Sequence, residues 1–173
     1  VDESWKPVWG EQSQIRNNYR QLLLSLTDKS GSGIRIQLMF RVFNDGVGFR
    51  YIFPQQDKLN HFIIADELTG FALTGDHTAF WIPGDYDTNE YAYYNSALSK
   101  VDASGGGFAQ EIHAKTFFDK NAVQTPLMMK TAEGLYINLH EAALVNYPAM
   151  NLVLDKTNYT FKSHLVPDAV GNK

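Results

Sequence analysis

Short segments in which apolar and polar residues alternate run along most of the chain and predict β-strands. Successive side chains of a strand point to opposite faces, so apolar residues at every second position mark a strand with one buried face. The clearest case is residues 34–54, where two such segments flank the sequence Asn-Asp-Gly at 44–46. Asp-Gly tolerates the positive φ of a tight turn, so this stretch predicts a β-hairpin, which Pro54 ends because it cannot donate to a ladder.

No helical period persists beyond two or three turns, and glycine, proline and polar breaks separate the other apolar segments. Residues 84–99 are polar, acidic and aromatic, and predict a long loop or a short helix. Ser104 and the three glycines after it predict a flexible turn. Trp5 and Trp9 are expected to anchor the first strand in the core. The whole pattern predicts an all-β fold, a sandwich of antiparallel strands.

Composition narrows the function classes. The 173 residues are 44% hydrophobic and 20% charged, which is typical of a folded globular chain. The net charge is −4 and no block of lysine and arginine occurs, which argues against nucleic acid or an anionic membrane as the main partner. The absence of cysteine excludes disulfides and thiolate metal sites. No apolar run approaches the ~20 residues of a membrane helix. Both ends suggest a fragment of a longer protein.

One carboxylate breaks the apolar pattern of residues 135–150. Leu135, Ile137 and Leu139 alternate with polar residues, and the next position of the same parity is Glu141. An ionised carboxylate is costly to bury without a partner, so this position predicts a cation, a metal or a cage of hydrogen bonds. The alternative is that the strand ends at His140 and that Glu141 lies at a bulge or rim in contact with water.

The acidic segment that begins at Asp85 has a weaker signal. Asp85, Asp87 and Asn89 have the spacing that opens a calcium loop, but Glu90 and Ser96 depart from the pattern at its sixth and twelfth positions. A solvated loop is therefore expected. Tyrosines beside these acids are compatible with a sugar-stacking surface or with packing of the loop on its own scaffold. No motif of a nucleophilic or metal-dependent hydrolase occurs.

Several segments together resemble the N-terminal domain of glycoside hydrolase family 97, the α-glucosidases and α-galactosidases typical of gut Bacteroidetes. The resemblance covers nearly the whole chain and rests on residues 5–19, 40–54, 125–144 and 147–152. It implies a β-super-sandwich of the galactose-mutarotase type, followed in the family by a (β/α)8 barrel and a small β domain. Residues 1–173 are then expected to be an N-terminal domain that stops short of its last strands, without the barrel.

The resemblance also implies a role for the sequence His-Glu-Ala-Ala-Leu. In calcium-dependent members its glutamate ligates a calcium ion together with glutamates of the barrel, so Glu141 is expected to be one calcium ligand. His140, Glu90, Tyr94 and Asn95 are weaker candidates for substrate binding. The reaction implied is hydrolysis of an α-glycosidic bond by carboxyl groups of the barrel, so no residue of this chain is expected to be catalytic.

The partners implied are the catalytic barrel of the same polypeptide and an oligosaccharide substrate, in a periplasmic or otherwise secreted protein. Two other functions remain open. A free-standing carbohydrate-binding module would use exposed aromatic side chains, for which the candidates are Trp81, Tyr91, Tyr93 and Tyr94. A mutarotase-like enzyme would use His140 and Glu141 as acid and base, but adjacent residues of a strand point to opposite faces and rarely converge on one sugar.

Overall fold

The computed structural model describes residues 1–104 and 116–167, so the predicted glycine turn at 105–107 lies outside the described residues. All pairings between its strands are antiparallel, and its one named helix is a short 3-10 turn, Leu98–Lys100. The all-β, antiparallel prediction is therefore confirmed. Within these residues no helix has the length and apolar character needed to cross a membrane. The chain divides into two compact units, Val1–Phe62 and Ile63–Lys173.

The first unit contains a two-stranded ribbon and a three-stranded sheet. Its strands are β1 (Asp2–Trp5), β2 (Ile15–Asn18), β3 (Arg20–Thr27), β4 (Arg35–Val42) and β5 (Val47–Ile52). β4 and β5 form the predicted hairpin, whose turn is closed by a 2.8 Å hydrogen bond from the Phe43 amide to the Gly46 carbonyl. The register places Leu22, Phe40 and Phe49 side by side on one face of the sheet, as the alternation predicts.

The tryptophan prediction is wrong. Trp5 is 51% exposed and Trp9 is 88% exposed, so neither belongs to a core. For Trp5 the reason is the pairing of its strand, because among the described residues β1 pairs only with β2 in a two-stranded ribbon, and Trp9 lies in the loop between these two strands. Such a ribbon offers no second layer against which a large side chain could be buried.

The second unit contains two four-stranded sheets. Its strands are β6 (Gly70–Ala72), β7 (Thr78–Trp81), β8 (Tyr94–Ala97), β9 (Ala122–Gln124), β10 (Leu127–Lys130), β11 (Tyr136–Leu139), β12 (Met150–Asp155) and β13 (Thr160–Leu165). One sheet has the order β11-β10-β7-β8 and the other the order β6-β13-β12-β9. Both contribute to one buried cluster, which includes Ala79, Leu127 and Met129 from the first sheet and Leu152, Leu154 and Phe161 from the second. The two sheets thus pack face to face around a shared core.

Strand β8 corrects the prediction of a loop or short helix for residues 84–99. Tyr94 opens the strand and pairs with Trp81 of β7, and their rings stack with centroids 4.9 Å apart. The sequence of β8 carries little apolar alternation, so tertiary pairing with β7 rather than local pattern decides its conformation.

Gly84 gives the first testable prediction, because its backbone packs closely on β9. A Cβ atom at this position would lie 2.5 Å from Ala122 Cβ and 3.2 Å from Phe118 Cε1, and the Gly84 amide donates a 2.8 Å hydrogen bond to the Ala122 carbonyl. We expect Gly84→Ala to lower the free energy of unfolding by about 1–3 kcal/mol through overpacking.

Urea unfolding followed by circular dichroism measures this effect. Gly70→Ala in the same unit is the matched control, because its added methyl group would meet only the Phe161 carbonyl oxygen, at an ordinary contact distance of 3.8 Å. Equal losses of stability in the two variants would show that close approach is not what requires glycine at position 84.

Candidate functional site

Strand β11 ends before the glutamate that breaks the apolar pattern. Its last ladder pair is Leu139 with Leu127, which begins the neighbouring strand β10, and Pro126 directly precedes that strand. Proline has no amide hydrogen to donate, so the ladder cannot extend to His140 through that position. His140 is exposed and Glu141 is half-buried. Glu141 therefore lies at the rim of the sheet, which is the position that the alternative interpretation of the sequence describes.

A single hydroxyl group holds the Glu141 carboxylate. Thr125 Oγ1 donates a 2.9 Å hydrogen bond to Glu141 Oε2 and lies 3.4 Å from the Met150 carbonyl oxygen. No lysine or arginine forms an ion pair with Glu141, since the one salt bridge among the described residues joins Arg16 to Asp2. Among the described residues, His140 makes no hydrogen bond to the Glu141 carboxylate. Thr125, which the sequence analysis did not single out, is thus the residue that orients this carboxylate.

The loop that begins at Glu141 is held by side-chain hydrogen bonds near both of its ends. The bond from Thr125 holds its start, and near its end the Tyr147 hydroxyl donates a 2.6 Å hydrogen bond to Glu67 Oε2. Glu67 precedes β6 in the other sheet of the unit, so the loop 141–149 spans the edge of the sandwich between two fixed points. Its path is set by these side-chain contacts and, at its last residue, by a 2.9 Å hydrogen bond from the Val166 amide to the Ala149 carbonyl.

The middle of this loop presents apolar side chains to the outside. Leu144 is 47% exposed and Val145 is 73% exposed. Ala143 and Asn146 adopt positive φ values of 52° and 55°, a left-handed conformation that costs an L-residue such as alanine about 1 kcal/mol or more. Exposed apolar side chains and positive φ values therefore occur together in this loop.

The described residues do not form a complete metal site. Within the ranges 1–104 and 116–167, no cluster of three or more His, Asp or Glu side chains could hold an ion. Calcium takes six to eight oxygen ligands, so Glu141 fits a calcium site only as one donor whose other ligands come from elsewhere. Among the described residues, Glu141 Oε1 accepts no hydrogen bond, which leaves that oxygen available for a cation.

Two of the weaker substrate-binding candidates, Tyr94 and Asn95, lie apart from Glu141. Glu90 is exposed in the loop before β8, Tyr94 is half-buried against Trp81, and Asn95 is exposed on the outer face of β8. β8 and β11 are the opposite edge strands of their sheet. Three strand spacings separate them, about 14 Å. The structure therefore places Tyr94 and Asn95 apart from Glu141, while His140 is its neighbour in the chain.

Asp85 occupies a buried cage of hydrogen bonds, so the expectation of a solvated loop is wrong for this residue, while Asp87, Asn89 and Glu90 of the same segment are exposed as expected. Asp85 is only 4% exposed. Its Oδ1 accepts bonds from the Asp87 amide, the Thr88 amide and Thr116 Oγ1, and its Oδ2 accepts from the Tyr91 hydroxyl and the Thr116 amide. Burial acts to raise the pKa of Asp85, but these donors outweigh it and hold the pKa below its ordinary value. Both oxygens serve the fold, so calcium binding by this segment is not supported.

The aromatic residues predicted for a carbohydrate-binding surface do not form one exposed platform. Trp81 is 4% exposed and its Nε1 donates a 3.0 Å hydrogen bond to Ser96, and Tyr91 is 8% exposed. Burial, followed by the bond to Asp85, raises the pKa of Tyr91. Tyr94 stacks on Trp81, and Tyr93 alone of the four is largely exposed, at 63%. Any carbohydrate surface here must therefore be built around Tyr93.

Comparisons with known proteins agree with one another. The family model described as glycosyl-hydrolase 97 N-terminal matches residues 1–167. A retaining alpha-galactosidase from Bacteroides thetaiotaomicron is 25% identical over an alignment that covers 88% of this chain and 21% of that protein. The chain thus spans about a fifth of the length of this curated relative.

Solved structures of a glycoside hydrolase family 97 enzyme from Pseudoalteromonas sp. strain K8 match as well. Its complex with acarbose is 30% identical, with a TM-score of 0.81 over 99% of this chain and 23% of that chain. A variant of the enzyme in complex with panose gives the same values. The match in three dimensions agrees with the antiparallel sandwich described above, and the family match extends over nearly the whole sequence. The chain belongs to the family of glycoside hydrolase 97 N-terminal domains.

Proposed function

We propose that this chain is the non-catalytic N-terminal domain of a calcium-dependent α-glycosidase and that Glu141 is the calcium ligand it donates to the active site. The observation that carries this proposal is the state of Glu141. It is half-buried at the rim of a sheet, oriented by Thr125 and not paired with a basic side chain among the described residues. A carboxylate in this state is ready to bind a cation from a neighbouring module.

The two oxygens of Glu141 have separate roles in this proposal. Thr125 fixes Oε2 and with it the direction of the carboxyl group, and Oε1 is left for the ion. A hydrogen-bonded partner behind a metal ligand sets the orientation of the ligand and so strengthens binding. The positive charge of the ion offsets the cost of holding an ionised carboxylate partly out of water. The remaining ligands belong to the barrel.

The proposed partner is the catalytic barrel of the same polypeptide, and the proposed substrate is an oligosaccharide with an α-glycosidic bond. The names of the relatives support this class, since they include an alpha-galactosidase and an enzyme in complexes with acarbose and panose. The exposed apolar loop 141–149 is the part of this chain that we expect to contact the barrel, because it carries Glu141 and presents Leu144 and Val145. A periplasmic or secreted location stays a prediction.

Isothermal titration with calcium tests shared ligation. We expect the isolated 173-residue chain to bind calcium no more tightly than about 1 mM, because one carboxylate supplies too few ligands. The parent polypeptide, which includes the barrel, is expected to bind at least about a hundredfold more tightly. Magnesium serves as the control cation, since it demands a smaller octahedral site. Tight calcium binding by the isolated chain, or undiminished binding by a barrel without this domain, would contradict the proposal.

A further inference from the structure

A shallow cavity lies on the outer face of the sheet β11-β10-β7-β8, away from the shared core. Its volume is about 380 Å³, and it is lined by Phe80, Tyr93, Pro126, Met128 and Asn138. The register explains why these residues meet, because Met128 of β10 pairs with both Phe80 of β7 and Asn138 of β11. The volume is at the lower end of ligand-binding sites, which run from about 300 to 1,000 Å³.

The lining is apolar, aromatic and without charge, with a carboxamide at one end. Tyr93 is 63% exposed and Met128 is 41% exposed. Phe80 pairs with Asn95 of β8, so a second carboxamide continues the same row of residues across the sheet. The side chains of Tyr93, Asn95 and Asn138 make no hydrogen bond to any other residue in the described part of the chain. Their polar atoms are therefore free to bind a ligand in place of water.

These features select one class of ligand. Because no lining residue is charged, nothing in the cavity would repay the loss of water around an ionic ligand. The uncharged carboxamides and the tyrosine hydroxyl can both donate and accept hydrogen bonds, as hydroxyl groups of a ligand require. Aromatic rings and the thioether offer an apolar floor, and a pyranose ring has an apolar face edged with hydroxyls. We propose that this cavity is an ancillary binding site for a neutral oligosaccharide.

The geometry suits a short sugar chain more than a single sugar. Asn138 and Asn95 are at the two ends of a row across four strands, about 14 Å apart at three strand spacings. Met128 and Phe80 lie between them, and Tyr93 stands beside the row as its most exposed ring. One sugar would stack on Tyr93, and its neighbours would lie across the row with their hydroxyls near the carboxamides. Strands hold all of these positions except Tyr93 and Pro126, which directly precede β8 and β10.

The choice of an oligosaccharide rests on the proposed function, which makes such molecules the substrate of the parent enzyme. The site itself is separate from the role of Glu141. Nothing in the cavity involves calcium, and no group of the barrel is needed to complete it. Binding by the cavity and calcium ligation by Glu141 can therefore fail independently, and different measurements detect them.

NMR titration of the 15N-labelled 173-residue chain with panose, a neutral trisaccharide, tests the site. We expect amide shifts that cluster at Asn95 and at the four lining residues with an amide hydrogen, and that saturate below about 10 mM panose, an affinity in the range usual for a small shallow site. Tyr93→Ala is expected to weaken binding at least about tenfold, because it removes the exposed ring on which a sugar would stack.

Tyr136→Ala is the matched control. Tyr136 is an exposed tyrosine on the same face of the same sheet, but it pairs with Lys130 in the next row and does not line the cavity. This variant is expected to bind panose like the unaltered chain. Equal weakening in the two variants, or an absence of shifts at about 10 mM panose in a folded chain, would overturn the proposal.

A second measurement separates a sugar site from a protein-docking surface. In the parent polypeptide without sugar, hydroxyl-radical footprinting is expected to label Tyr93 and Met128 as readily as in the isolated chain. Panose is expected to protect both. Protection of both residues in the parent before any sugar is added would show that another module covers the face, and the proposal would be wrong.

Discussion

Asp85→Ala is expected to lower the free energy of unfolding by about 3–5 kcal/mol, the range for losing the centre of a buried hydrogen-bond network. The substitution removes the acceptor of five hydrogen bonds, from the Tyr91 hydroxyl, the amides of Asp87 and Thr88, and both the amide and the hydroxyl of Thr116. Tyr91 is only 8% exposed, so the substitution also alters a buried part of the structure. Urea unfolding measures the loss.

Asp87→Ala is the matched control for this prediction. Asp87 is exposed in the same loop, and its contribution to the cage is its backbone amide, which alanine retains. We expect a change within about 0.5 kcal/mol, as for most surface substitutions. A loss of similar size in both variants would mean that any substitution in this loop lowers stability, and that the hydrogen bonds of Asp85 are not the cause.

The cage also predicts how stability depends on pH. The pKa of Asp85 is held below its ordinary value of 3.8, so its contribution to stability is present above that value and is lost as the pH falls through the lower folded value. The difference in unfolding free energy between the unaltered chain and Asp85→Asn is thus expected to be largest at about pH 6 and to shrink below about pH 4. The unaltered chain must be compared with this variant because other carboxylates, including Asp76, also have a lowered pKa and make the stability of both chains depend on pH. A difference that does not change with pH would contradict the ionised cage.

The alternation of apolar and polar residues predicted the parts of the fold that form between residues close together in the sequence. The hairpin of β4 and β5 is an example, because the Asn-Asp-Gly turn and the alternation on either side of it all lie within 20 residues. β8 was missed because its conformation depends on pairing with β7, across a loop that the sequence marks as polar. Trp5 and Trp9 were misplaced because no pattern in a single segment shows whether a second layer will cover it.

At the candidate site, too, the sequence indicated some features and only the structure showed the others. The break in the apolar alternation drew attention to Glu141, but it could not show where the ladder ends, which depends on Pro126, directly before the neighbouring strand β10. Thr125 lies 16 positions before Glu141, and Thr116 lies 31 positions after Asp85. A threonine hydroxyl has no signature in sequence that would identify its distant partner. Hydrogen bonds between side chains far apart in the chain therefore had to come from the structure.

Glu141→Ala in the parent polypeptide is expected to weaken calcium binding by at least about a hundredfold, because it removes a charged ligand of the ion. Calcium affinity is measured by isothermal titration, and unfolding of the isolated chain is measured in parallel. The variant chain is expected to be as stable as the unaltered chain or slightly more so. Its carboxylate has one hydrogen bond and no ion pair among the described residues, so the fold loses little when it is removed.

Variants of Thr125 separate orientation of the ligand from its charge. Thr125→Val removes the hydroxyl and keeps the shape, so we expect calcium binding to weaken by about tenfold, as for other groups behind a metal ligand. Thr125→Ser keeps the hydroxyl and is expected to retain most of the affinity. Glu133→Ala, an exposed glutamate in the turn before β11, controls for the loss of negative charge and is expected to leave binding unchanged. Loss of affinity with Glu133→Ala equal to that with Glu141→Ala would mean that overall charge, and not a ligand at position 141, accounts for calcium binding.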